Sequence, residues 1–111
     1  MINLNASALF ASVILPCLAL PLKAQNLDGL TWSEQKCVLY ERAVEDAIAL
    51  QGRDGLREEF LAANQSFMDG GCQTQGQVCP ITDTELKFAD LLTIMTMNEG
   101  MASTFVPFHC P

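Results

Sequence analysis

Gly70–Leu86, GGCQTQGQVCPITDTEL, holds two of the chain's five cysteines, closes one helix and opens the next. Gly70 and Gly71 stop the preceding helix, because glycine reaches the left-handed conformation of a helix end at no steric cost. Gln73–Gln77 is polar, contains Gly76 and reads as a surface loop. Pro80 biases Cys79 toward an extended backbone. Thr82-Asp83-Thr84-Glu85 then fits a capping box, in which the Thr82 hydroxyl accepts the Glu85 amide and the Glu85 carboxylate accepts the Thr82 amide. Asp83 and Glu85 add negative charge at the positive end of that helix. The helices on either side are tied to this stretch through its cysteines.

Working outward, the preceding segment carries helical spacing. A second capping box, Thr31-Trp32-Ser33-Glu34, starts a helix near Thr31. Its apolar face is Cys37, Tyr40, Val44, Ala47 and Ile48, and Gly52 ends it. Arg53-Asp54-Gly55 makes a tight connection to a second helix, expected from about Asp54 to Met68. There Leu56, Phe60, Ala63 and Phe67 form a stripe, with Leu61 and Met68 beside it, while Arg57, Glu58, Glu59, Asn64 and Gln65 face out. The third helix is expected from Thr82 to about Asn98. It is apolar nearly all round, which predicts the most buried position. Gly100 kinks or ends it, Met101–Phe105 allow one more turn, and Val106–Cys110 reads as an extended tail. No stretch alternates with period two. The fold class is all-α: a small disulfide-bonded bundle of three to four helices, up-and-down because the first connection is short.

The first residues read differently. Ala6–Leu22 is almost wholly apolar, and Leu22-Lys23-Ala24 offers a small residue before Gln25. Residues 1–24 are therefore expected to be a secretory signal peptide, and residues 25–111 a single helical domain. Cleavage after Ala19 is the alternative. A lipid-bearing Cys17 is disfavoured because Pro16 occupies a position that calls for a small residue, and an uncleaved anchor because the run is short and holds Pro16 and Pro21. The expected location is periplasmic or secreted, with no stable membrane insertion after cleavage.

Beyond that leader lie Cys37, Cys72, Cys79 and Cys110. An even set in a short exported chain points to disulfides, which a small core needs. Antiparallel first and second helices bring Cys37 beside Cys72, with Cys79 expected at the same end; Cys110 reaches that end only if the chain turns back at Gly100. Loop entropy does not discriminate. Cys37–Cys72 with Cys79–Cys110 closes loops worth about 4 kcal/mol each, and Cys72–Cys79 with Cys37–Cys110 gives about 2.5 and about 4.5 kcal/mol. Geometry favours the first pairing.

Thirteen acidic residues against six basic ones give a net charge of −7, one unit more negative once Lys23 is removed. Such a surface repels nucleic acid and anionic lipid and suits a basic protein partner. The candidate partner-binding residues are Glu41, Glu45, Glu58 and Glu59, with the Gln73–Gln77 loop as a second contact surface.

Chemistry-bearing motifs are sparse. His109 is the single histidine and adjoins Cys110, but neighbours in an extended segment point apart and an oxidised cysteine is no nucleophile. Six residues separate Cys72 from Cys79, wider than zinc-binding pairs use, and no Cys-x-x-Cys is present. Met95, Met97 and Met101 suggest a soft copper site, yet methionines on a buried helix usually fill gaps in the core. Neither a glycine-rich phosphate loop nor a Gly-x-Ser-x-Gly elbow occurs. No catalysis, metal or cofactor is expected.

The arrangement of Cys37-x-x-Tyr40, of Cys79-Pro80 before a Thr-capped helix with Glu85-Leu86, and of Phe105-x-Pro107-Phe108-x-Cys110 resembles the small periplasmic immunity proteins that protect bacteria against type VI secretion amidase effectors. The resemblance covers three short patches. It implies an α-helical, disulfide-bonded protein that binds and blocks a cell-wall-cleaving toxin, with dimers common. Cys72 is a departure from that family, as is the lack of a clear loop before a full fourth helix, and no toxin-contacting residue is carried over. The chain is also similar to acid-activated periplasmic chaperones of the HdeA type. That likeness implies carboxylate protonation that weakens packing at low pH and exposes apolar surface.

Overall fold

The computed structural model describes residues 27–73 and 76–111. The expected signal peptide, its cleavage sites and Cys17 lie outside the described residues. Three helices make up the regular structure: α1 (Trp32–Gln51), α2 (Glu58–Asp69) and α3 (Asp83–Asn98). The all-α bundle is as expected, and no strand occurs among the described residues.

Both capping boxes form. The Thr31 Oγ1 accepts from the Glu34 amide and the Glu34 carboxylate from the Thr31 amide, each at 3.2 Å. At α3 the Glu85 amide donates to Thr82 Oγ1 at 3.0 Å. The second helix begins later than Asp54. Gly55 has φ +84°, which breaks a helical path, and the Leu56 amide closes a turn onto the Arg53 carbonyl at 3.0 Å. Arg57, still extended, is the N-cap.

The α2 terminus is a Schellman closure. The Cys72 amide donates to Phe67 O and the Gly71 amide to Met68 O, both at 3.0 Å, with Gly71 at φ +78°. Of the two glycines only Gly71 is left-handed, since Gly70 has φ −79°, and Cys72 follows it into the left-handed region at φ +57°. The closure turns Cys72 inward to meet Cys37. The same pattern ends α3, where Met101 N–H reaches Thr96 O at 3.0 Å and the buried Met101 begins the return.

Two disulfides, Cys37–Cys72 and Cys79–Cys110, realise the pairing that geometry favours. They place the chain in an oxidising compartment. Their positions correct one expectation. Cys79 does not lie at the Cys37–Cys72 end: its carbonyl accepts from Arg57 Nη2 at 3.2 Å, beside the start of α2. The segment after Cys72 therefore travels the length of α2 before α3 begins. As a result α2 and α3 start at the same end and α1 runs antiparallel to both, packing mainly on α3, so the expected up-and-down order holds for α1 and α2 but not for α3. The C-terminal tail retraces the same route. Val78 N–H donates to Pro107 O at 3.0 Å, and Phe108 stacks on Phe60 with centroids 6.0 Å apart.

The core holds two aromatic groups joined by that tail. Tyr40, Phe67 and Phe105 meet edge-on near the Cys37–Cys72 bridge; Phe60, Phe88 and Phe108 meet near Arg57. Ala43, Val44, Ala47, Leu92 and Val106 fill the space between. Two further expectations are corrected. Asn64 is buried rather than outward, because the Tyr40 hydroxyl donates to its Oδ1 across the α1–α2 contact. Meanwhile α3 is not covered all round: Leu86, Ile94 and Met97 are about half exposed. Its covered side consists of Glu85, Phe88, Ala89, Leu92 and Thr96, one stripe facing α1 and the tail.

Candidate functional surfaces

Glu41 and Glu45 lie one helical turn apart on α1, and both are exposed. They border a shallow groove of about 300 Å³ between α1 and α2, whose apolar lining includes Val44, Ile48 and Met68 and whose polar edge includes Gln65 and Arg53. The groove is held open on a fixed frame, because Cys37–Cys72 ties the two helices at one end and the Arg53–Leu56 turn ties them at the other.

Glu58 and Glu59 stand on the neighbouring helix. Both are exposed in the first turn of α2, where their charge complements the helix dipole. Glu59 pairs loosely with Arg57 at 3.4 Å. Of the four candidate glutamates, Glu41 and Glu45 border the α1–α2 groove and Glu58 and Glu59 stand at the start of α2.

Arg57 and Glu85 form the one ion pair with a fully buried member among the described residues. Arg57 reads as an outward residue and Glu85 as a cap in the sequence; the fold uses both differently. The Glu85 side chain is fully buried, and its carboxylate accepts from Arg57 Nη2 at 2.9 Å, Arg57 Nε at 3.0 Å, the Arg57 amide at 2.8 Å and the Ile81 amide at 2.9 Å. Burial pushes this carboxyl up, but the guanidinium and the amides of Arg57, Ile81 and Thr82 outweigh it and hold the group at about 2. One side chain therefore caps α3, accepts the N-cap amide of α2 and fixes the loop before Thr82. Only its place three residues after Thr82 was visible in the sequence.

The remaining candidates are placed as follows. Gln73 is anchored to Ser33 Oγ at 3.1 Å, so the Gln73–Gln77 loop starts against the head of α1; its middle lies outside the described residues. His109 is exposed beside a depression lined by Phe67, Cys72, Gln73 and Val106, and Cys110 next to it is bonded to Cys79. Met101 is buried, Met97 is exposed and Met95 borders a groove between α1 and α3. Among the described residues no three His, Cys, Asp or Glu side chains gather as metal ligands, and no helix is long and apolar enough to cross a membrane.

One charged position of α1 is only partly exposed. Nη1 of Arg42, on α1, is buried and has no hydrogen-bond partner among the described residues. In the sequence it is one of several charged positions on an amphipathic helix, and nothing in that pattern separates it from its neighbours.

No protein family, curated protein or solved structure matches the chain.

Proposed function

We propose that the protein is a non-catalytic, exported binding protein of the periplasm or secreted space that occludes a partner protein, as an inhibitor or immunity protein does. The observation that carries this reading is the α1–α2 groove: two exposed carboxylates one turn apart over an apolar floor, on helices already locked by a disulfide. A basic side chain with a long aliphatic stem suits that combination, since its charge meets Glu41 and Glu45 while its methylenes cover Val44, Ile48 and Met68. A pre-locked groove loses little conformational entropy on binding. The net charge of −7 adds long-range attraction for a basic partner.

The test is capture from periplasmic extract at neutral pH, followed by titration of the captured protein with variants. Glu41→Lys/Glu45→Lys is expected to weaken binding at least about tenfold, about 1.4 kcal/mol. Glu58→Lys/Glu59→Lys, outside the groove lining, is expected to change it by less than about threefold. Equal affinity of the first variant and the native protein rejects the groove as the contact surface.

A second reading, an acid-activated chaperone, is favoured by one specific observation: the fully buried Glu85, whose charge holds three segments together. Protonation at about pH 2–3 weakens that junction and loosens the apolar interior. Suppression of client aggregation at that pH, and not at pH 7, supports it; inactivity at both removes it.

A further inference from the structure

We propose that Cys79–Cys110 is a thiol-exchange site: a dithiol reductant opens it selectively and frees the end of the C-terminal tail, while Cys37–Cys72 keeps α1 and α2 joined. The two disulfides differ in their surroundings. Cys37 and Cys72 are only 8% and 7% exposed, so a reductant reaches their sulfurs only after the fold opens. Cys79 is partly exposed and borders a surface depression with Gln77 and Ile81. Cys110 is exposed, as are its neighbours His109 and Pro111. One bridge therefore belongs to the interior and the other to the surface.

The same contrast sets the direction of exchange. The incoming thiolate bonds to the sulfur of Cys110, the more open residue. The Cys79–Cys110 bond breaks, and Cys79 leaves with the electron pair as a thiolate. The reductant's second thiol then attacks its own sulfur in the mixed disulfide and expels Cys110. The dithiol ends as a disulfide, and its two hydrogens end on Cys79 and Cys110. The Cys79 side stays in place, because Arg57 Nη2 donates to its carbonyl at 3.2 Å. The Cys110 side is free to move. Nothing after Asn98 is helix or strand, and at its end the tail keeps only the Val78–Pro107 hydrogen bond and the stack of Phe108 on Phe60. Lifting Phe108 uncovers Phe60, which is 2% exposed while the tail is held. Access to that aromatic face is thus coupled to the redox state of the compartment.

The test treats the purified, fully oxidised protein with dithiothreitol at neutral pH without denaturant. Samples are quenched over time with iodoacetamide, and peptide mass spectrometry locates the alkylated cysteines. Cys79 and Cys110 are expected to be alkylated together, at least about tenfold faster than Cys37 and Cys72. With glutathione, a monothiol, the mixed disulfide is expected on Cys110. The half-reduced, alkylated protein is then digested briefly with chymotrypsin. Cleavage after Phe108 is expected to be at least about tenfold faster than in the oxidised protein, with α1 uncut in both. The proposal is overturned if the two disulfides open at one rate or Cys37–Cys72 opens first. It is equally overturned if glutathione is found on Cys79, or if Phe108 is cut no faster after reduction. Every arm uses the native chain and no partner protein, so the outcome is independent of what the α1–α2 groove binds.

Discussion

The Glu85 carboxylate receives the Arg57 side chain and the Arg57 backbone amide together, so the first residue of α2's cap and the third residue of α3 share one buried anion. Stability inherits a pH dependence from this contact. The carboxyl is held at about 2 in the folded chain against an ordinary 4.5. Because the folded value is depressed, the contribution is fully present above about pH 4.5. It is lost progressively as pH falls toward about 2. The urea midpoint of the native protein is expected to drop steeply across that window. Glu85→Gln, which does not ionise, is expected to show a flatter profile; parallel profiles would remove Glu85 as the source.

Truncation of the same residue has a separate consequence. Arg57 is 32% exposed at its side chain and can turn to water once its partner is gone. The amides of Arg57 and Ile81 have no such freedom and lose a charged acceptor. Glu85→Ala is therefore expected to destabilise by about 2–4 kcal/mol, mostly through those amides. Thr82→Ala, which removes only the hydroxyl half of the cap, is expected to cost about 1 kcal/mol. Denaturant unfolding at pH 7 measures both, and equal losses would show that Glu85 acts as a cap and nothing more.

How far the sequence reaches is clear from three residues. Thr82 was legible, because a capping box needs only local spacing, and the helix begins where that spacing puts it. Cys72 was legible in part: antiparallel helices put it beside Cys37, but its turn inward depends on the closure at Gly71. Asn64 was not legible. A polar residue on an amphipathic helix reads as outward, and only the arrival of the Tyr40 hydroxyl from another helix makes it a core residue. The route of Gln77–Pro80 fails for the same reason. Its direction is set by Pro107 and Cys110, which come from the far end of the chain. At the surface, the four glutamates were legible as exposed, but the groove beside Glu41 and Glu45 depends on the tertiary path of α1 and α2.

Tyr40 and Asn64 form a polar pair in an apolar setting, and burial raises the Tyr40 hydroxyl well above its ordinary range, so it stays a donor at any physiological pH. Tyr40→Phe leaves the Asn64 carbonyl oxygen buried without that donor and is expected to cost about 1–3 kcal/mol. Asn64→Leu in the same background removes the stranded group. The double variant is expected to be more stable than the two single losses sum to, by about 1 kcal/mol or more. Strict additivity in thermal unfolding would mean that the two side chains are not coupled.

The two disulfides close loops of similar size, with sequence separations of 35 and 31, so chain entropy predicts similar losses of about 4 kcal/mol when either is removed. Their local effects are expected to differ. Cys37–Cys72 joins two helix ends that Tyr40 and Phe67 already hold in contact. Cys79–Cys110 pins a tail with few other restraints at its end, and that tail supplies Phe108 to Phe60 and the Pro107 carbonyl to Val78. In native-state hydrogen exchange, Cys79→Ala/Cys110→Ala is expected to speed exchange of the Val78 amide far more than that of the α1 amides. Cys37→Ala/Cys72→Ala is expected to raise both together, through global opening. If both variants accelerate Val78 and α1 alike, the tail is held by its aromatic contacts, and the second disulfide contributes only to the unfolded chain.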